Sequence, residues 1–147
     1  MHKIHTRFGE VEYDPEKTLH FPQGLVGFED LHRFIVMPNE VEGPLFWIQS
    51  VDDPQIAFVL TDPSQFFPTY QVAPDANERK KLEILEGDDC FVLSVVTVHP
   101  DRQVTLNLAA PILYNARNNR AMQVILEGNT YQSRTPLPIV QQEPAKA

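Results

Sequence analysis

Three aspartates are the first candidates for chemistry. Asp52, Asp53 and Asp62 stand in or beside Asp-Pro steps, in "SVDDPQ" and "LTDPSQ". Paired carboxylates act as acid and base when they sit at a defined separation and one has a raised pKa. Asp near Pro is also ordinary turn chemistry, because its side chain accepts from backbone N–H groups just ahead. Turn-making is the plainer reading, and an acid/base enzyme built on Asp52, Asp53 and Asp62 is the minor alternative. Cys90 lies within the apolar run "CFVLSVVTV" with no evident histidine partner, so it reads as a packed strand residue rather than a nucleophile. His2, His5, His20, His32 and His99 show no metal-ligand spacing. There is no G-x-S-x-G, no P-loop and no G-x-G-x-x-G. The residues therefore imply no catalytic centre, no cofactor and no metal.

The bulk composition narrows the partners. The chain has 147 residues with a formal net charge of −8, which repels phosphate backbones and attracts basic proteins. A single cysteine cannot form an internal disulfide, which fits a reducing compartment. The start "MHKIHTRFGEVEY" lacks the apolar core of a secretory signal, and no apolar run approaches a membrane span. The expectation is a soluble cytoplasmic protein that binds neither nucleic acid nor membrane directly.

The elements that must position any site have period two. "KIHTRF" and "EVEY" flank Gly9 as a hairpin, and "TLHF", "RFIVM", "LFWIQSV", "QIAFVLT", "CFVLSVVTV", "QVTLNLA", "ILYN" and "AMQVIL" follow as short strands between turn residues. The fold class is mainly β: a small antiparallel β-barrel-like single domain with one or two short helices. Residues 1–137 form that domain and 138–147 a flexible tail. "DANERKKLEILEG" is the helix, with Asp75 as N-cap, Gly87 as stop, Leu82 and Leu85 on one face and Ile84 flanking. "GFEDLHRF" offers a single helical turn, with Glu29 and Asp30 at its start. In "HFPQGLVGFEDL", Pro22 ends a strand, Gly24 and Gly27 permit a tight turn, and Phe21, Leu25 and Phe28 fold back on the core as a lid. Phe66, Phe67 and Tyr70 of "SQFFPTY" plug the barrel end, with a binding surface as the second reading.

Several of these strings together resemble the flagellar assembly factor FliW family. They are "TRFGEVEYD", "FPQGLVGFEDLHRF", "FWIQSVDDPQIAFVLTDP", "FFPTYQV", "TLNLAAPILYNARNNRAMQVIL" and "YQSRTPL", in order from Thr6 to Leu137. Two positions depart from the expected pattern: Leu106 replaces a small residue and Thr135 a histidine. The resemblance implies a non-enzymatic, β-barrel-like protein with two partners in turn. One is cytoplasmic flagellin before export. The other is the translational repressor CsrA, which the protein, freed by flagellin secretion, antagonises allosterically so that flagellin synthesis resumes. A generic β-barrel interaction module is the alternative. Positions within the matching strings that the core does not require become candidate partner contacts: Gln49, Asp53, Asn107, Asn115 and Arg117, with Phe21 and Phe28 as core or surface. On this reading Asn107→Ala weakens partner binding more than folding.

Overall fold

The computed structural model describes residues 2–6, 9–37, 45–128 and 130–136. The period-two segments become strands where predicted. β1 (His2–Thr6) and β2 (Gly9–Tyr13) form an antiparallel hairpin with Ile4 opposite Val11. Then come β3 (Leu19–His20), β4 (Arg33–Met37), β5 (Leu45–Ser50), β6 (Ala57–Thr61), β7 (Cys90–Val98), β8 (Val104–Leu106), β9 (Ile112–Asn115), β10 (Arg120–Gln123) and β11 (Thr135–Pro136). They form one sheet in the order β11-β8-β7-β6-β5-β4-β3-β10-β9, and a further pairing of β7 with β9 closes a barrel-like ring. The ladders are antiparallel except at one seam, where β10 meets the two-residue β3 in a parallel bridge, Arg120 with His20.

β7 carries the closure. Cys90–Leu93 pair with β9, and Val96–Val98 pair with β8 along the same edge. Between them Asn107 N donates to Val95 O, and Ser94 Oγ donates to Asn107 O, so the chain steps from one short strand to the next without losing the edge. Along its middle both faces of β7 are covered, which explains a mostly apolar sequence interrupted only by Ser94 and Thr97. Leu93 and Val95 point inward to a core of Leu19, Phe34, Ile48, Leu60 and Ile112. Val92 and Val96 point outward, to clusters around Leu106 and Leu108 and around Leu82 and Leu113. Leu106 and Thr135, the two departures from the family pattern, are direct cross-strand partners, so the larger side chain stands opposite the smaller.

Three local expectations need correction. α1 (Ala76–Lys81) has the N-cap at Asp75 but ends at Leu82, five residues before Gly87, because Glu83 turns to φ 53°. Leu82 is therefore buried while Leu85, beyond the helix, is 58% exposed. "GFEDLHRF" holds one hydrogen-bonded turn, Leu31 N donating to Phe28 O, but no helix; ahead of it Leu25 and Phe28 bridge across a tight turn, and Glu29 Oε2 accepts from Gly27 N. Phe66, Phe67 and Tyr70 cover the outer wall of the sheet beside Val96, Leu106 and Leu108, not the barrel end, because the excursion after β6 folds back over that wall. Tyr70 Oη donates to Leu108 O at 2.7 Å, and burial beside Tyr131 pushes its pKa up to about 12. The segment 138–147, expected as a tail, lies outside the described residues. Among the described residues no helix is long and apolar enough to cross a membrane.

Candidate functional site

The two ends of the ring differ. One is closed by the 21–31 segment. Phe21 and Leu25 are buried in the inner core, and Phe21 meets Phe34 edge-on at 5.2 Å between ring centres. Phe28 rests edge-on against Phe58 at 5.1 Å and is 37% exposed. The segment is a lid whose base is core and whose outer residues, Val26 and Phe28, reach solvent. It is pinned from below: Val26 N donates to Gln123 Oε1, and Gly24 has φ +66° with the Phe28 and Glu29 backbone against it.

Among the described residues nothing closes the other end. Val36, Phe46, Leu60, Phe91 and Tyr114 line an apolar pocket of about 310 Å³ that draws on every strand of the ring. Phe91 stacks on Tyr114 with ring centres 6.2 Å apart and is half exposed, as is Val36. Asp62 lies at the rim and also lines an adjoining groove of about 640 Å³, shared with Phe91, Val92 and the extended stretch 70–73.

The residues singled out from sequence fall into two groups. Gln49 is fully buried: its Nε2 donates to the carbonyls of Ser50, Pro54 and Ile56, holding the turn between β5 and β6 from inside. Phe21 and Asn115 are also fully buried. These three are interior side chains, unavailable to a partner in this conformation. Asp53, Asn107, Arg117 and Phe28 reach the surface at least in part, each with a local task. Asp53 Oδ1 accepts from Gln55 N, and Asn107 Oδ1 accepts from Ala110 N. Asn107→Ala thus removes a turn bond, so its first expected effect shifts to the fold.

Asn115 and Arg117 belong to one device. The helix α1 ends with free carbonyls that need donors. The β9–β10 turn supplies them: Asn115 and Asn118 Nδ2 donate to Leu82 O, Arg117 to Glu83 O and Arg120 to Lys81 O. Asp88 completes it, paired with Arg117 at 2.9 Å; the Leu85 amide, then Arg117, hold its carboxyl below the usual range.

The aspartates serve backbone. Asp52 accepts from His32 N at 2.8 Å and Arg33 N at 3.0 Å and pairs with the Arg33 guanidinium at 3.1 Å. Burial pushes its carboxyl up, but these donors together outweigh it and hold the carboxyl below its ordinary value. Asp62 Oδ1 accepts from Ser64 N and Ser64 Oγ, turning the chain off β6. Cys90 is half-buried in β7, and burial pushes its thiol up, away from the thiolate a nucleophile needs. Among the described residues no group of three His, Cys, Asp or Glu is placed to hold a metal ion. Sequence reasoning missed Phe91, Tyr114 and Val36. The difference that exposes them, nine residues in β7 against five in its neighbour β6, appears only once the strands are paired.

These features define a class: a mainly β protein with a ring of short strands, a lid at one end and an exposed apolar mouth at the other. The family model of the FliW protein matches residues 3–137, and the chain belongs to that family. The flagellar assembly factor FliW of Syntrophotalea carbinolica is 63% identical over 135 residues, covering 92% of this chain and 96% of that protein. Flagellar assembly factor FliW 2 of Desulfotalea psychrophila is 60% identical, covering 95% of this chain and 93% of that protein. A crystal structure of the flagellar assembly factor FliW superimposes with a TM-score of 0.84 at 32% identity, covering 92% of this chain and 96% of that one. The family is one of flagellar assembly factors and not of enzymes.

Proposed function

We propose that this chain works in the cytoplasm as a two-partner regulator. It binds newly made flagellin; when flagellin is secreted, the freed protein binds CsrA away from its RNA surface and relieves repression of flagellin synthesis. The observation that carries this reading is membership of the flagellar assembly factor family across residues 3–137. Two physical features support it. Flagellin ends that are poorly ordered before assembly need apolar and edge-rich surface, and the mouth around Phe91 and Val36 offers both. An RNA-binding repressor carries basic surface, and a net charge of −8 speeds encounter with it. Size-exclusion chromatography with purified flagellin and CsrA, separately and as competitors, tests the reading. A complex with each, and release of CsrA by flagellin, are expected; binding to neither sinks it.

A further inference from the structure

We propose that the open edge of β7 at the barrel mouth takes an extended segment of a partner chain as an added strand. The segment has apolar side chains at alternate positions and a lysine or arginine that reaches Asp62. This deepens the flagellin-binding reading and rests on it for the identity of the donor chain.

The edge follows from the pairing. β6 meets β7 only at Val59–Thr61, opposite Val96, Val95 and Ser94. Asp62 and Pro63 then lead the chain away into a 3-10 turn. On the opposite edge, Ala116 N donates to Asp89 O and Asn107 N to Val95 O. Backbone polar groups alternate along a strand, so those of Phe91 and Leu93 also face β9. Those of Cys90 and Val92 face the other way, where β6 has already left. No strand among the described residues pairs with them there. An exposed row of this kind is a template for main-chain pairing.

The surroundings select the occupant. The edge runs between two connected hollows that share Asp62, Phe91 and Val92, and the first is almost wholly apolar in its lining. A small polar ligand finds no convergent set of donors here. A strand laid along Cys90–Val92 instead sends alternate side chains toward the pocket beside Phe91 and toward the groove beside Val72. Asp62 uses Oδ1 within its own turn, and Oδ2 has no partner among the described residues. On a chain of net charge −8 this carboxylate favours a cationic residue where the added strand would continue the line of β6.

Amide hydrogen exchange by NMR tests this with two probes: purified flagellin, and a blocked seven-residue peptide alternating valine and threonine between terminal lysines. Either probe is expected to slow exchange of the Cys90 and Val92 amides at least tenfold. Phe91→Asp is expected to weaken binding at least tenfold, and Asp62→Asn, which retains a turn cap, several-fold with less salt dependence. If Phe91→Asp fails to fold, wild-type exchange and Asp62→Asn decide. Protection by the peptide but not by flagellin upholds the docking edge and counts against the flagellin reading. Flagellin binding that protects other amides, with Cys90 and Val92 unchanged, overturns the docking edge and leaves that reading standing. Protection by neither probe overturns the proposal. So does slowing that follows the concentration of this chain alone together with a dimer in sedimentation, which assigns the edge to a second copy.

Discussion

Gly24 and Gly27 sit three residues apart in the lid, both at positive φ, yet they tolerate change differently. A Cβ on Gly24 would lie 2.5 Å from Phe28 O and 2.6 Å from Glu29 Cα, both backbone atoms that cannot swing aside. A Cβ on Gly27 meets nothing within 4 Å. Gly27→Ala is therefore expected to cost about 1 kcal/mol, the left-handed penalty alone. Gly24→Ala should cost several times as much and expose Phe21 and Leu25; equal melting temperatures for the two variants would contradict this packing. Asp52 carries a pH prediction. Its folded pKa is depressed, so its contribution is present above the unfolded value, about 3.9, and lost as pH falls through the folded value. Asp52→Asn should lower stability by about 1 kcal/mol at neutral pH, and the deficit should shrink below about pH 4, read by thermal melts across pH. His20 shifts in the same direction: burial, and then Arg120, lower its pKa, so protonating it at acid pH also costs stability. The Asp-Pro steps announced turns from sequence. That Asp52 would reach back to residues 32 and 33 depended on the pairing of β4 with β5, which brings distant positions into register.

At the scale of elements, α1 shows how little of a short helix is local. Six residues lie below the length at which a helix persists in water, so the ends and the packing decide. Asp75 and Glu78 form a reciprocal capping box at the start, of which only the N-cap Asp75 was read from sequence. The end was not legible. Gly87 looked like the stop, but the β9–β10 turn captures the carbonyls of Lys81, Leu82 and Glu83 before the chain reaches it. Asn115→Ala is expected to cost about 2–3 kcal/mol, because Leu82 O keeps only Asn118 and the buried Oδ1 that accepts from Arg117 N is lost with the side chain. Asp75→Ala should cost about 1 kcal/mol. Circular dichroism melts of the two variants check the ranking; a larger loss from Asp75→Ala would place the weight on the local cap instead.

For the whole molecule, charge and shape divide the work. A net charge of −8 acts over a Debye length, so under the proposed two-partner reading association with CsrA should slow by about tenfold between 50 and 500 mM salt, measured by stopped-flow mixing. Capture of an apolar strand at the mouth should respond far less. The sequence by itself determined the strands other than the two-residue β11, the hairpin at Gly9, the helix start, the lid and the family, because these depend on neighbours two to four residues apart and on motif strings. The tertiary structure decided which residues face inward on β7, whose run is apolar on both faces and so carries no alternation to read. It decided that Gln49, Asn115 and Phe21 work from the interior, since a polar side chain in a strand looks the same in sequence whether it caps a distant carbonyl or meets a partner. It also decided where the ring lies open. An unpaired edge is a difference in length between β7 and β6, and it exists only once the two strands have been laid side by side.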